Sequence, residues 1–390
     1  MIHEVHGQLA PGFEPLREAF ATTLGDASTG AALSVFLGGR PVVDLWGGIA
    51  DERTKSQWSE TTVSVVFSCT KGLMSILAAQ LVEQGLLDYD APVARYWPEF
   101  AAAGKSNVRV RHLLNHQAGL SAPRQTLSTA DILEWDVVVD ALAKQEPLWP
   151  LGSGYAYHAI THGWLVGEVL RRASGQSVSD LFRDAVAKPL EVAAWIGLPQ
   201  TEAHNVAYMV VGRTLAEESP SPASADGPDW LERAMTLGEA LPSKLVSPTG
   251  GFNDPRLWAA QIPGAGGIAS ARALAKIWSA TVRETDGIRL LDGATVKSAS
   301  TVQTEGEPVF PVPSPWPRWG MGFQIDSEAR RYLTSEGFGH DGAGGQVAFA
   351  EPRLGLAFAY TTNLMEAGDS RATSIIDVVR QLPILSGARA

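Results

Sequence analysis

The sequence predicts an α+β fold, an antiparallel sheet flanked by helices with a mainly helical domain inserted into it. Three observations carry that prediction. Strand-like runs over 31–37 and 41–46 open the chain, a long helical middle follows, and apolar strand-like runs return at 346–350 and 356–362. A sheet domain formed by 1–80 and 265–390, interrupted by a helical domain over 81–264, explains this order better than three independent units. The groove between the two is the expected place for a site.

Each element has its own signal. Phe13, Leu16, Phe20 and Leu24 form one stripe and predict a helix over 14–24. Gly38-Gly39-Arg40 between the first two strands is a hairpin turn signal. After Val65-Val66-Phe67, Leu73, Leu77 and Leu81 predict an amphipathic helix stopped by Gly85. A turn and short helix follow over 85–98, and another short helix lies between Val108 and Gly119. Trp164, Leu165, Val169 and Leu170 predict a helix over 160–173 that ends before Gly175. The stretch 201–257 is weakly patterned, with a loop at Ser219–Ser224 and a short helix over 232–240. A helix is expected over 270–282, strands over 320–325, 346–350 and 356–362, and a final helix over 371–382. Trp46 is expected in the core.

Composition removes several function classes. The 390 residues are 45% hydrophobic and 19% charged, as expected of an ordered globular chain with a large core. A formal net charge of −11 with no basic run disfavours nucleic acid and anionic membrane surfaces as partners. No uncharged apolar run reaches the ~18 residues that span a bilayer. Residues 1–11 lack the basic and apolar regions of a signal peptide. The lone Cys69 excludes an internal disulfide, and the chain is expected in a reducing cytoplasm.

Chemistry concentrates at Ser68-Cys69-Thr70-Lys71. Residues three apart at a helix start share a face, so Lys71 can reach the Ser68 hydroxyl. A serine needs such a base, and a desolvated lysine can provide it. Four letters alone favour a bland reading, in which Ser68 is an N-cap and Lys71 a solvated side chain. Cys69 is expected as a small packed residue behind the nucleophile. Two further clusters stand out: Tyr157-His158-Ala159 after a glycine-rich loop, and His340-Asp341-Gly342-Ala343-Gly344 leading into a strand. Glycines in the latter allow close approach to the backbone.

Together these three clusters resemble the serine β-lactamase and penicillin-binding-protein superfamily, and most of all its carboxylesterase branch, the family VIII esterases. The resemblance runs from the first hairpin to the last helix and implies a β-lactamase/transpeptidase-like fold. It implies Ser68 as the acylated nucleophile, Lys71 as its helper and Tyr157 as the catalytic phenol. Backbone N–H groups of Ser68 and Ala343 would form the oxyanion hole, and His340, Gly342, Gly344 and His158 would line the substrate. Ala159 stands where the family has asparagine, and His340-Asp341-Gly342 where it has Lys-Thr-Gly. A neutral imidazole recognises a β-lactam carboxylate poorly. Both departures point to simple short-chain esters, hydrolysed without metal or organic cofactor. A β-lactamase, D-aminopeptidase or acyltransferase on the same scaffold is the alternative within acyl transfer. A catalytically silent binding protein is the alternative outside it.

Other candidates weigh less. His112 and His116 are four apart, as are His158 and His162, but no His-Glu-x-x-His or cysteine pair accompanies them. His112 and His116 are expected as packing residues at a helix end, and His158 is read either as a partner of Tyr157 or as packing. Tyr155 competes with Tyr157, but the spacing to Gly163 and Leu165 favours Tyr157. The Pro263–Gly267 stretch reads as a cleft-edge turn, because it lacks the lysine of a phosphate loop. Trp149, Trp258, Trp316 and Trp319 are candidates for pocket walls.

Overall fold

The computed structural model describes residues 4–25, 28–218 and 227–388. The loop expected at Ser219–Ser224 lies outside the described residues. One antiparallel sheet dominates, with strand order Val5–Leu9, Arg40–Asp51, Gly30–Leu37, Leu356–Thr362, Gln346–Glu351, Phe338–Gly342, Gln324–Ile325 and Arg318–Trp319; Ser56–Gln57 pairs outside this path with Arg40–Asp51. The two ends of the chain meet at its centre, where Leu356–Thr362 pairs with Gly30–Leu37 from Leu356↔Leu37 to Thr362↔Ala31.

The period of two along these strands sorts residue size by face. Leu33, Val35, Phe349, Phe358 and Tyr360 point one way and pack with Leu16, Phe20, Ile375, Ile376 and Val379 of the Pro15–Thr22 and Arg371–Gln381 helices. Ala348, Ala350, Ala357 and Ala359 point the other way. Those small side chains leave room for Leu274, Ile277 and Trp278 of the Ala271–Val282 helix. Ser270 caps that helix by accepting the Ala273 N–H at 3.1 Å.

The middle of the chain is mainly helical, including Val110–Leu114, Trp135–Lys144, Thr161–Ser174 and Trp230–Thr236. A small sheet of Ser64–Val65, Gly267–Ala269 and Ala194–Ile196 joins it to the rest. Between this segment and the large sheet runs the Cys69–Glu83 helix. Amphipathicity was the expectation for it; instead every residue from Cys69 to Ala79 is buried. A helix covered on all sides reads as apolar all round, not as a stripe.

Other differences are local. The single strand expected over 320–325 is two short ones, Arg318–Trp319 and Gln324–Ile325. Between them Gly322 turns the chain at φ +82°, where a Cβ would meet Ser75 Oγ at 2.2 Å. Phe338–Gly342 is itself a strand rather than a loop leading into one. Trp46 is only partly buried: it packs against the small Ala50, Trp58 and Ala207 cluster, away from the main core. The short helix expected over 232–240 is Trp230–Thr236.

Candidate active site

The turn before Ser68 is a strained one. Phe67 has φ +43°, unusual for a side chain with a Cβ, and is held there from several directions. Its ring packs edge-on against Phe252 at 5.5 Å, Thr70 Oγ1 donates to its carbonyl at 2.5 Å, and Val66 N–H donates to Gly267 O at 2.9 Å. Thr70 Oγ1 in turn accepts the Gly267 N–H at 2.9 Å. The result leaves Ser68 partly exposed at the N-cap of a helix whose next residues are all buried.

Lys71 is fully buried beneath it. Its Nζ lies 2.9 Å from Ser68 Oγ, 2.5 Å from Ala159 O and 2.7 Å from Gly264 O. Among the described residues no carboxylate hydrogen-bonds Lys71 in this cage. Burial holds the amine well below the ordinary lysine range. The bland reading of Lys71 as a solvated helix residue is thereby excluded. The cage depends on a close helix–loop contact, since a Cβ on Gly163 would stand 2.0 Å from Gly264 N.

Tyr157 closes the group from the helical side. Lys71 Nζ sits 4.9 Å from the centre of its ring, and the ring remains partly exposed. Burial of the phenol group pushes its pKa well up, and a hydrogen bond with Ser68 opposes that push. Trp319 stacks on it at 5.3 Å with a 13° interplanar angle. Tyr155, by contrast, donates its hydroxyl to Gly306 O at 2.7 Å, in the segment that leads to Trp319.

The third cluster touches the Ser68 turn from the sheet. Cys69 Sγ donates to His340 O at 3.1 Å, and a Cβ on Gly342 would stand 2.3 Å from Val66 O. Ala343 follows at once and is partly exposed. His340 is buried, with Nδ1 2.6 Å from Asp341 O. Burial and the nearby Lys71 push its pKa down to about 3, so the imidazole is neutral. Asp341 pairs with Arg330 at 2.6 Å, which leaves that carboxylate committed elsewhere. A Cβ on Gly344 (φ +76°) would press on Met365, so this glycine serves the chain behind it.

The histidines divide. His158 is a strut: Nε2 accepts the Leu120 N–H at 3.1 Å and Nδ1 donates to Ala156 O at 2.7 Å. With both nitrogens spent on backbone, it braces the loop of Tyr157 and has none left for a substrate. His112 accepts the Arg109 N–H at 3.0 Å through Nδ1. His116 was expected at a helix end, and lies just past one, but it does more than fill space. It sits at φ +66°, accepts the His158 N–H at 3.2 Å, and presents its ring to Tyr157 at 4.9 Å and to Trp319 at 4.5 Å. The sequence carries no signal for this contact of His116 and Trp319 with Tyr157, because no local spacing connects residues 116, 157 and 319. Among the described residues no group of three or more His, Cys, Asp or Glu is placed to hold a metal ion. Of the other candidate tryptophans, Trp149 packs on His158 and Phe310, and the indole N–H groups of Trp258 and Trp316 bond Phe252 O and Val312 O.

An antiparallel sheet with an inserted helical segment, and a serine set over a buried amine, define the class of active-site serine hydrolases. The chain belongs to the Beta-lactamase family, whose model matches residues 16–380. It is 34% identical over 369 residues to Esterase/beta-lactamase LipL of Mycobacterium tuberculosis (strain ATCC 25618 / H37Rv), covering 92% of this chain and 83% of that one. Among solved structures, a family VIII carboxylesterase superposes with a TM-score of 0.85 at 34% identity, covering 96% of this chain and 98% of the other. A penicillin-binding protein homolog from Caulobacter crescentus does so with a TM-score of 0.84 at 34% identity, over 97% and 100%. No helix among the described residues is long and apolar enough to cross a membrane.

Proposed function

We propose that the protein is a serine carboxylesterase that hydrolyses short-chain esters through an acyl-enzyme on Ser68. One observation carries this reading, the coordination of Lys71. A neutral amine has two N–H bonds and one lone pair. With Ala159 O and Gly264 O taking the two N–H groups, the lone pair faces Ser68 Oγ at 2.9 Å. Burial lowers the lysine pKa and so favours that neutral form.

In the proposed sequence Ser68 Oγ attacks the ester carbonyl carbon while its proton passes to Lys71 Nζ. The oxyanion is held by the backbone N–H groups of Ser68 and Ala343. Collapse breaks the C–O bond, and the alkoxide leaves with a proton from Tyr157, which Lys71 replenishes. Water then attacks the acyl-enzyme, gives up a proton along the same route, and releases the acid and Ser68. Ser68 and Ala343 belong to the 1–80 and 265–390 segments, Tyr157 and Gly264 to 81–264, so the reaction would take place between the two proposed domains.

Substrate class follows from charge. The family lysine is replaced by a buried, neutral His340, which offers no cation to a β-lactam carboxylate. Uncharged esters need none. The named activities of the relatives, esterase/β-lactamase and family VIII carboxylesterase, support the same choice. A cytosolic site of action is part of the proposal and rests on the lone, buried Cys69. Labelling with a fluorophosphonate followed by peptide mass analysis tests the nucleophile. The adduct is expected on Ser68, and an adduct elsewhere overturns the assignment. Nitrocefin turnover rivalling that of p-nitrophenyl butyrate would overturn the substrate class.

A further inference from the structure

A cavity of about 570 Å³ lies where the Ala271–Val282 and Gly293–Ala299 helices meet the Gln324–Ile325 strand. In a chain of net charge −11 its walls carry three cations, Arg283, Arg289 and Lys297, against one acid, Glu336. The guanidiniums make hydrogen bonds to backbone carbonyls: Arg283 to Val282 O at 2.8 Å and Arg289 to Leu291 O at 2.7 Å. Among the described residues none of the three cations belongs to an ion pair. Asp292 and Glu83 lie near Arg289 and act on it through their charge, while Asp292 accepts from Thr295 N–H and Glu83 from Asp292 N–H, both at 2.7 Å.

The backbone makes room for this arrangement. Gly355 has φ +62°, and a Cβ there would stand 2.5 Å from Arg283 Nε and 2.9 Å from its Cζ. Arg289 feels the positive charge of Arg283 directly, and Asp292 and Glu83 offset it only in part, so burial and the neighbouring cation together lower the Arg289 pKa. Below them the floor is apolar, built from Val282, Val296, Ile325 and Pro352. The volume falls within the range of roughly 300–1,000 Å³ usual for small-molecule sites.

We propose that this cavity binds an organic anion with a compact apolar body, its head between Arg283, Arg289 and Lys297 and its body on the Val282–Val296–Ile325 floor. Planar guanidiniums suit carboxylate and phosphate heads alike. The site is separate from Ser68, and its existence does not depend on the esterase reading. It has a route to that site, however. Ile325 follows Gln324, which pairs with Trp319, the residue stacked on Tyr157.

Isothermal titration of the full chain with hexanoate, phenyl phosphate and inorganic phosphate tests the proposal. Saturable binding of hexanoate or phenyl phosphate is expected, and the tighter of the two identifies the head group. In Arg283→Gln/Arg289→Gln the dissociation constant should rise at least about tenfold, the equivalent of losing charge-assisted hydrogen bonds. Lys297→Gln, a change at an exposed side chain, should raise it about threefold without affecting folding. Binding of both organic anions unchanged in Lys297→Gln and in the double variant would overturn the proposal. So would inorganic phosphate binding as tightly as either of them, because the apolar floor would then contribute nothing.

Discussion

The indole of Trp319 stacks on the phenol ring of Tyr157 at 5.3 Å and 13°, so the expected proton carrier is clamped by a residue 162 positions away along the chain. The opposite edge of that clamp is His116, which touches both rings. Aromatic pairs of this kind contribute about 0.5–1.5 kcal/mol beyond area burial. A larger effect is expected on catalysis than on folding, because a phenol that can swing loses its alignment with Ser68.

Trp319→Ala should therefore lower kcat on p-nitrophenyl butyrate by about tenfold or more, the cost of a misplaced proton donor. Trp319→Phe, which keeps a stacking ring, should recover most of it. The check is steady-state kinetics beside a thermal melt. A Trp319→Ala enzyme with unchanged kcat would show that the stack does not position Tyr157.

The pH profile should report Lys71. Its amine must be unprotonated to accept the Ser68 proton, and burial lowers its pKa. Activity should thus fall as pH drops through that lowered value and be retained above it. Lys71→Arg places a permanently charged group there and should cost at least about 10²-fold in kcat at every pH. An acid limb as high as that of an ordinary lysine, near pH 10.4, would contradict the role.

Gly163→Ala probes the cage from outside. The added methyl would stand 2.0 Å from Gly264 N and must push the 263–267 turn away, carrying Gly264 O off Lys71. Esterase activity is expected to drop by about tenfold or more in protein that still folds, with the acid limb of the pH profile displaced. A fully active Gly163→Ala enzyme would mean that Gly264 O is dispensable.

Stability should depend on Glu351, a buried acid at the end of the Gln346–Glu351 strand. Its buried carboxyl accepts from Leu333 N–H at 2.6 Å and from Thr334 N–H at 2.9 Å, and burial raises its pKa to about 7. A raised acid pKa means that the folded state favours the protonated form. The stabilisation is therefore complete below about pH 4.5 and is lost as pH rises through 7. The loss is on the order of 3 kcal/mol. Glu351→Gln, which mimics the protonated form, should remove that dependence. Denaturant melts at pH 5 and 8 give the comparison, and equal slopes for both proteins would contradict it.

What the sequence showed depended on distance along the chain. Ser68 and Lys71 are legible as a pair because three residues of helix bring them together. The hairpin at Gly38-Gly39-Arg40 and the 356–362 strand are legible for the same local reason. The strand at Val5–Leu9 is not legible locally, because Gly7 and Gln8 dilute a short pattern and its partner is the distant Arg40–Asp51. The Trp135–Lys144 helix did carry a signal, in Val138, Val139 and Leu142, that could have found it. His116 and Trp319 carried none: their meeting over Tyr157 is made by three separate segments, and pattern along one segment does not encode it. The carbonyls of Ala159 and Gly264 that cage Lys71 are backbone atoms, invisible to any reading of side chains.

The most direct test is hydrolysis of p-nitrophenyl acetate, butyrate and octanoate by wild type, Ser68→Ala and Tyr157→Phe, with melting temperatures measured alongside. The expected result is turnover of the shorter esters by wild type, none above background in Ser68→Ala, and a loss of about 10²–10⁴-fold in Tyr157→Phe, all in folded protein. Full activity in folded Ser68→Ala would contradict the account at its centre.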